Sequence, residues 1–150
     1  MLPTVTRRFI NGIIRDGRLT EARLRYERGT AEPARWVFES ATCWNIVCEE
    51  VIDTDHDPGG YDAVFAELIR RGFTLEEIDE MRRIAWRTAG WLNYDLMLWD
   101  WVSLDEGDMR EALELQLKKG KIKKDDFEED LLTIQQFLER DTSLKPIQQN

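Results

Sequence analysis

TLEEIDEMRRIAWRTAGWLNYDLMLWDWV, Thr74 to Val102, decides how the rest of the chain must fold. Leu75, Ile78, Arg82, Ala85, Ala89, Leu92, Leu96 and Trp99 follow one another at alternating three- and four-residue steps, which is the signature of a helix burying one stripe. Arg82 is the only polar member. Thr74 with Glu77 forms a capping box that starts the helix. The stripe keeps phase across Gly90, so the spacing predicts one helix over 75–102, roughly 40 Å long. A glycine inside it costs about 1 kcal/mol relative to alanine, and close approach of a neighbouring helix is the expected reason for it. After Gly90 a second apolar stripe appears, Trp91, Leu98 and Val102 with Tyr94 and Trp101 beside it. A helix apolar nearly all round must be covered nearly all round. It is either the central helix of a bundle, or a core helix with one stripe covered by another chain, or the wall of a ligand pocket; the first reading leads. Asp95 and Asp100 need partners if buried, and arginines are plentiful.

Working outward, helix signals dominate. Residues 4–15 and 20–28 read as short helices with Thr20 as the N-cap of the second; alternation around 21–39 also fits a small β-hairpin, with Leu24 and Tyr26 on one face. A helix from Pro33 to about Ile52 follows from the spacing of Trp36, Ser40, Trp44, Val47 and Val51. Residues 61–71 form an amphipathic helix stopped by Gly72 and Phe73 in a Schellman motif. A second capping box is read at Ser103–Glu106, and a looser one at Asp125 with Glu128. Helices over 104–119 and 126–140 then make a hairpin through Gly120, and 141–150 is a polar tail. The predicted fold class is all-α, a single domain over 1–140 built as five or six helices around the 75–102 rod.

The totals narrow the function. With 150 residues, 42% hydrophobic and 34% charged, the composition is that of a globular domain that folds without metal or disulfide. No apolar run reaches the roughly 20 residues of a membrane span, no apolar leader is read at the N-terminus, and the cytoplasm is the expected location. Cys43 and Cys48, five apart on the expected helix, diverge and read as small buried hydrophobes. Residues 1–35 hold eight arginines against four acids, whereas from residue 41 on there are 13 basic and 25 acidic side chains. A polyanion is repelled by most of such a surface, and a basic protein is attracted.

These features favour a non-catalytic protein–protein interaction module: an adaptor, an assembly subunit or an inhibitor of antitoxin type, acting on a basic partner or as a homo-oligomer. Its contact residues are expected to be Trp91, Tyr94, Trp99 and Trp101 as aromatic anchors, with Asp105, Glu106 and Asp108 steering the partner. The competing reading is a metal-dependent enzyme or divalent-cation protein using Asp53, Asp55, His56 and Asp57 of DTDHDPGG. The alternating carboxylates resemble the opening of a calcium loop, but Pro58 stands where its glycine belongs and Val64 where its bidentate glutamate belongs. No cofactor is expected otherwise. A third reading takes residues 61–71, the turn at Gly72 and the following helix as a helix-turn-helix for nucleic acid. RRGFTLEEIDEM (70–81) resembles a segment of MerR-type regulators, yet four acids over 75–80 oppose groove reading. KKGKIKKDDFEEDLLTIQQFL (118–138) resembles the short C-terminal helical hairpin of SHOCT type, implying at most a helix-pairing module.

Overall fold

The computed structural model describes residues 18–31, 38, 40–51, 58–92 and 104–141. These carry six α-helices and no strand: α1 (Arg18–Arg28), α2 (Cys43–Val47), α3 (Pro58–Arg70), α4 (Leu75–Arg87), α5 (Glu106–Lys118) and α6 (Lys124–Arg140), with a 3₁₀ turn at Cys48–Glu50 following α2. No described helix is long and apolar enough to cross a membrane. The all-α expectation is met. The hairpin expected near 21–39 is not formed over its described part, where 21–28 is helical. Leu19 and Ala22 face inward while Leu24 and Tyr26 remain exposed, the spacing of one buried stripe on a helix. Thr20 lies inside α1 rather than capping it.

α1 lies along α3, α5 pairs with α6, and the short α2 touches α3, α4 and α6. One apolar core joins them, including Trp44, Phe65, Leu68, Ile78, Met81, Ile84, Met109, Leu113 and Ile134. Trp44 is fully buried and its indole Nε1 donates to the Ile134 carbonyl at 2.9 Å, so the largest core side chain leaves no orphan donor.

Punctuation is where the local reading succeeds. Thr74 Oγ1 accepts from the Glu77 amide at 3.1 Å while Glu77 Oε1 accepts from the Thr74 amide at 2.9 Å. Gly72 sits at φ 97°, and the Phe73 and Gly72 amides reach the Leu68 and Ile69 carbonyls at 3.2 and 2.9 Å. That is the Schellman stop. Other boundaries move. The helix expected from Pro33 starts at Cys43 in the described residues, because Thr42 Oγ1 takes the Asn45 amide at 3.0 Å. The second box is built by Asp105 and Asp108, two residues beyond the expected cap at Ser103. α6 has no box at Asp125; its N-cap is Lys123, with no side-chain hydrogen bond, a choice that costs about 1 kcal/mol relative to Ser or Asp.

The regular helix expected over 75–102 is interrupted at Thr88 within its described part. α4 ends at Arg87, and Thr88 departs from helical geometry at φ −114°, ψ −83°. Its hydroxyl donates back to the Ile84 carbonyl at 2.6 Å, the bond by which a buried threonine bends a helix. Winding resumes at Ala89 and Gly90 and loosens into a π-type turn at Trp91–Leu92; residues 93–103 lie outside the described residues. The reason for Gly90 also differs from expectation. A Cβ there would stand 2.9 Å from Trp86 Cε3, so the close neighbour is an indole one turn back along the same winding, not another helix. Trp86 is buried and its Nε1 is held by Glu50, so it cannot swing aside. Gly90→Ala is therefore expected to destabilise by about 1–2 kcal/mol, the overpacking cost exceeding the helix-propensity gain. Urea denaturation checks this; a more stable variant would refute the clash.

Among the described residues, buried Glu50, Asp62, Asp130 and Asp141 are each matched to an arginine. Glu50, fully buried, receives Arg82 Nε at 2.9 Å and Nη2 at 2.7 Å, the Leu19 amide at 3.0 Å and the Trp86 indole at 3.2 Å. Arg82, the polar interruption of the apolar stripe, is thus the partner of a core carboxylate and also donates to Thr20 Oγ1 at 2.8 Å. Asp141, first residue of the polar run 141–150, is fully buried as well. It accepts the Cys43 amide at 2.6 Å and Arg71 Nη1 at 3.1 Å, while Arg71 also donates to Glu67 and to the carbonyls of Phe38 and Ala41. Asp62 takes Arg25, and Asp130 takes Arg87, each at 2.7–2.8 Å. Arg23 pairs with Asp79, so two arginines of the basic N-terminal third dock inside this molecule.

Candidate interaction surface

The sequence nominated two stretches. Trp91 is half-buried and Leu92 buried, both within the π-type turn; Tyr94, Trp99 and Trp101 lie outside the described residues. The acids of 105–108 have local duties. Asp105 Oδ1 accepts the Gly107 amide at 2.9 Å, Asp108 Oδ2 accepts the Asp105 amide at 2.9 Å, and Glu106 Oε1 accepts the Thr42 hydroxyl at 2.7 Å. They cap α5 and lash it to α2, which reduces what they can offer a partner. Asp53, Asp55, His56 and Asp57 lie outside the described residues, and Asp62, next along, is engaged by Arg25. Among the described residues no group of three or more His, Cys, Asp or Glu is placed to hold a metal ion. In the helix-turn-helix segment, Arg82 faces the core while Glu76 and Glu80 are exposed, so the outward face of α4 carries the acids that oppose groove reading.

The outward face of α6 is a feature that sequence reading passed over. Leu132 is 57% exposed, with Glu128 and Glu129 one turn before it and Gln135 and Gln136 one turn after, all exposed. Arg110 on α5 donates to Gln135 at 3.2 Å, and Glu111 and Glu114 are exposed on α5. Further along α6 a cleft of about 420 Å³ is lined, among the described residues, by Thr133, Gln136, Phe137, Glu139 and Arg140. The only hint in the sequence was Leu132 itself, off phase with Leu131, Ile134 and Phe137.

The floor of that cleft is tied to α4. Arg140 pairs with Glu77 and lies over the rings of Phe73 and Phe137, 5.3 and 5.5 Å from their centres. The hydrogen bond from Arg140 holds the Glu77 carboxyl below its ordinary value of 4.5. A carboxyl with a lowered folded pKa contributes stability above about pH 4.5, and that contribution is lost as pH falls through the folded value. Glu77→Gln keeps the cap and removes the charge, so it is expected to cost under about 1 kcal/mol at pH 7, both groups being partly exposed. The difference from the parent protein should close as pH falls below about 4.5 in denaturant titrations; a constant difference would show that the ion pair contributes nothing.

Burial pushes both cysteine thiols up, with Asp141 adding to the effect at Cys43 and Asp108 at Cys48; both are free and buried, poor settings for a nucleophile. Comparison with known proteins gives no family: no family model, no curated protein and no solved structure matches the chain.

Proposed function

We propose that this chain is a non-catalytic interaction module whose partner is a basic protein, as an adaptor, assembly subunit or inhibitor of antitoxin type in the cytoplasm. The observation that supports this most is the outward face of α6, where exposed Leu132 stands between Glu128 and Glu129 one turn before it and Gln135 and Gln136 one turn after, next in sequence to a cleft lined from Thr133 to Arg140. An apolar centre with a charged rim is the usual anatomy of a contact patch. The rim raises encounter rates with cationic surfaces and the centre supplies contact energy. The aromatic run through Trp91, Tyr94, Trp99 and Trp101 is a second set of anchors in this reading, either for the same partner or for a second copy. The architecture that goes with it is a single domain over 1–140, a bundle about a 75–102 axis bent at Thr88.

Incorporating a photo-crosslinking amino acid at position 132 in cells tests it. A discrete adduct with a basic protein, lost when Glu128 and Glu129 are both changed to lysine and the melting temperature is kept, is the expected result. An absence of adducts, or adducts indifferent to the charge reversal, would overturn the reading.

A further inference from the structure

The segment KKGKIKK (118–124), from the last residue of α5 through the turn to the first residue of α6, holds five of the chain's six lysines. Lys118, Lys119, Lys121, Lys123 and Lys124 are all exposed. Among the described residues none of them meets a carboxylate, whereas Arg23, Arg25, Arg71, Arg82, Arg87 and Arg140 are all in ion pairs. Among the described residues these six arginines pair with acids of the same molecule, whereas the lysines of 118–124 gather at one exposed tip. Two of these lysines stand against local preference. Lys123 and Lys124 occupy the N-cap and first residue of α6, the positive end of the helix dipole, where acids belong. Departures from local rules without a packing reason concentrate where a surface has a task.

We infer that this tip is a contact for the phosphate backbone of duplex nucleic acid, independent of sequence and separate from the protein-binding face. Lysine meets phosphate as a point charge without reading bases, and no aromatic, Asn, Gln or Arg side chain is present among 118–124. The net charge of −9 comprises this +5 and −14 elsewhere. A linear polyanion laid across the turn meets the five lysines together, with the exposed carboxylates of Asp125, Glu128 and Glu129 following on α6 and screened over about 8 Å at physiological salt. A flat anionic bilayer fits less well: it faces the whole near side of the body, and Ile122, the turn's one apolar side chain, packs against the core and offers no wedge into lipid.

Fluorescence anisotropy with a labelled mixed-sequence duplex measures the contact. Binding is expected at 50 mM salt, with log K falling against log salt at a slope no steeper than about −4.5, the limit for five phosphates. Changing Lys121, Lys123 and Lys124 together to glutamine should weaken binding at least tenfold and bring the slope to about −2 or shallower, the melting temperature being kept. No binding at 50 mM salt overturns the inference, as does a slope unchanged by the triple substitution. So does a marked sequence preference, or flotation with phosphatidylserine vesicles by a protein that ignores the duplex.

Discussion

Glu50→Ala lowers the melting temperature by on the order of 10 °C. Removing one partner of a buried ion pair leaves the other charged and unsolvated, which costs about 3–5 kcal/mol. At this chain length each kcal/mol is worth roughly 2–4 °C. Here the abandoned partner is Arg82, 3% exposed, and the Leu19 amide and Trp86 indole lose their acceptor too. The double variant Glu50→Leu with Arg82→Met separates this account from simple loss of packing. It removes both charges and should recover most of the stability, since apolar residues of similar volume replace buried pairs at little or no cost. Thermal denaturation of the three proteins decides the matter; a double variant as unstable as Glu50→Ala would show that the pair's charges are not what the core depends on.

Arg71→Met is expected to destabilise by a similar 3–5 kcal/mol, because Asp141 remains buried without its cation and the Phe38 and Ala41 carbonyls lose their donor. Asp141→Asn should cost about half as much. Its amide oxygen can still accept from the Cys43 amide, while the charge opposite Arg71 is gone and Glu67 remains to share that guanidinium. Urea titrations monitored by tryptophan fluorescence measure both. If Asp141→Asn were neutral, the carboxylate would be an acceptor only, and the ionic description of this cluster would be wrong.

The contrast between these clusters and the helix caps explains how much the sequence revealed. A capping box or a Schellman stop is settled within six residues, so Thr74–Glu77 and Gly72–Phe73 could be read directly. The same holds for the α5–Gly120–α6 hairpin, whose apolar spacing is local. Arg82 was visible as a polar residue in an apolar stripe, but nothing nearby announced that Glu50, 32 positions earlier, would meet it. Asp141 looked like the start of a tail because its partners are 70 and 98 positions away. The same limit applies to 33–52, where apolar spacing through Trp36 and Ser40 predicts one helix while Thr42 has the chemistry of a start. Thr88 escaped notice because apolar phase reports which face is buried, not whether a hydroxyl pulls on the carbonyl four residues behind it. Of the candidate surface, the acids were legible as composition. Which of them face inward, as Asp126 and Asp130 do, depends on tertiary partners.

The Arg71–Asp141 clasp also sets an order of events during synthesis. A ribosome adding about 5–20 residues per second needs roughly 4–14 s to travel the 70 positions between the two. Throughout that interval the guanidinium destined for the interior has only Glu67, four residues before it, as counter-ion, and α2 lacks the carboxylate that fastens its first amide. The nascent chain can wind its helices early, yet it cannot lock them until almost the whole described length has left the exit tunnel.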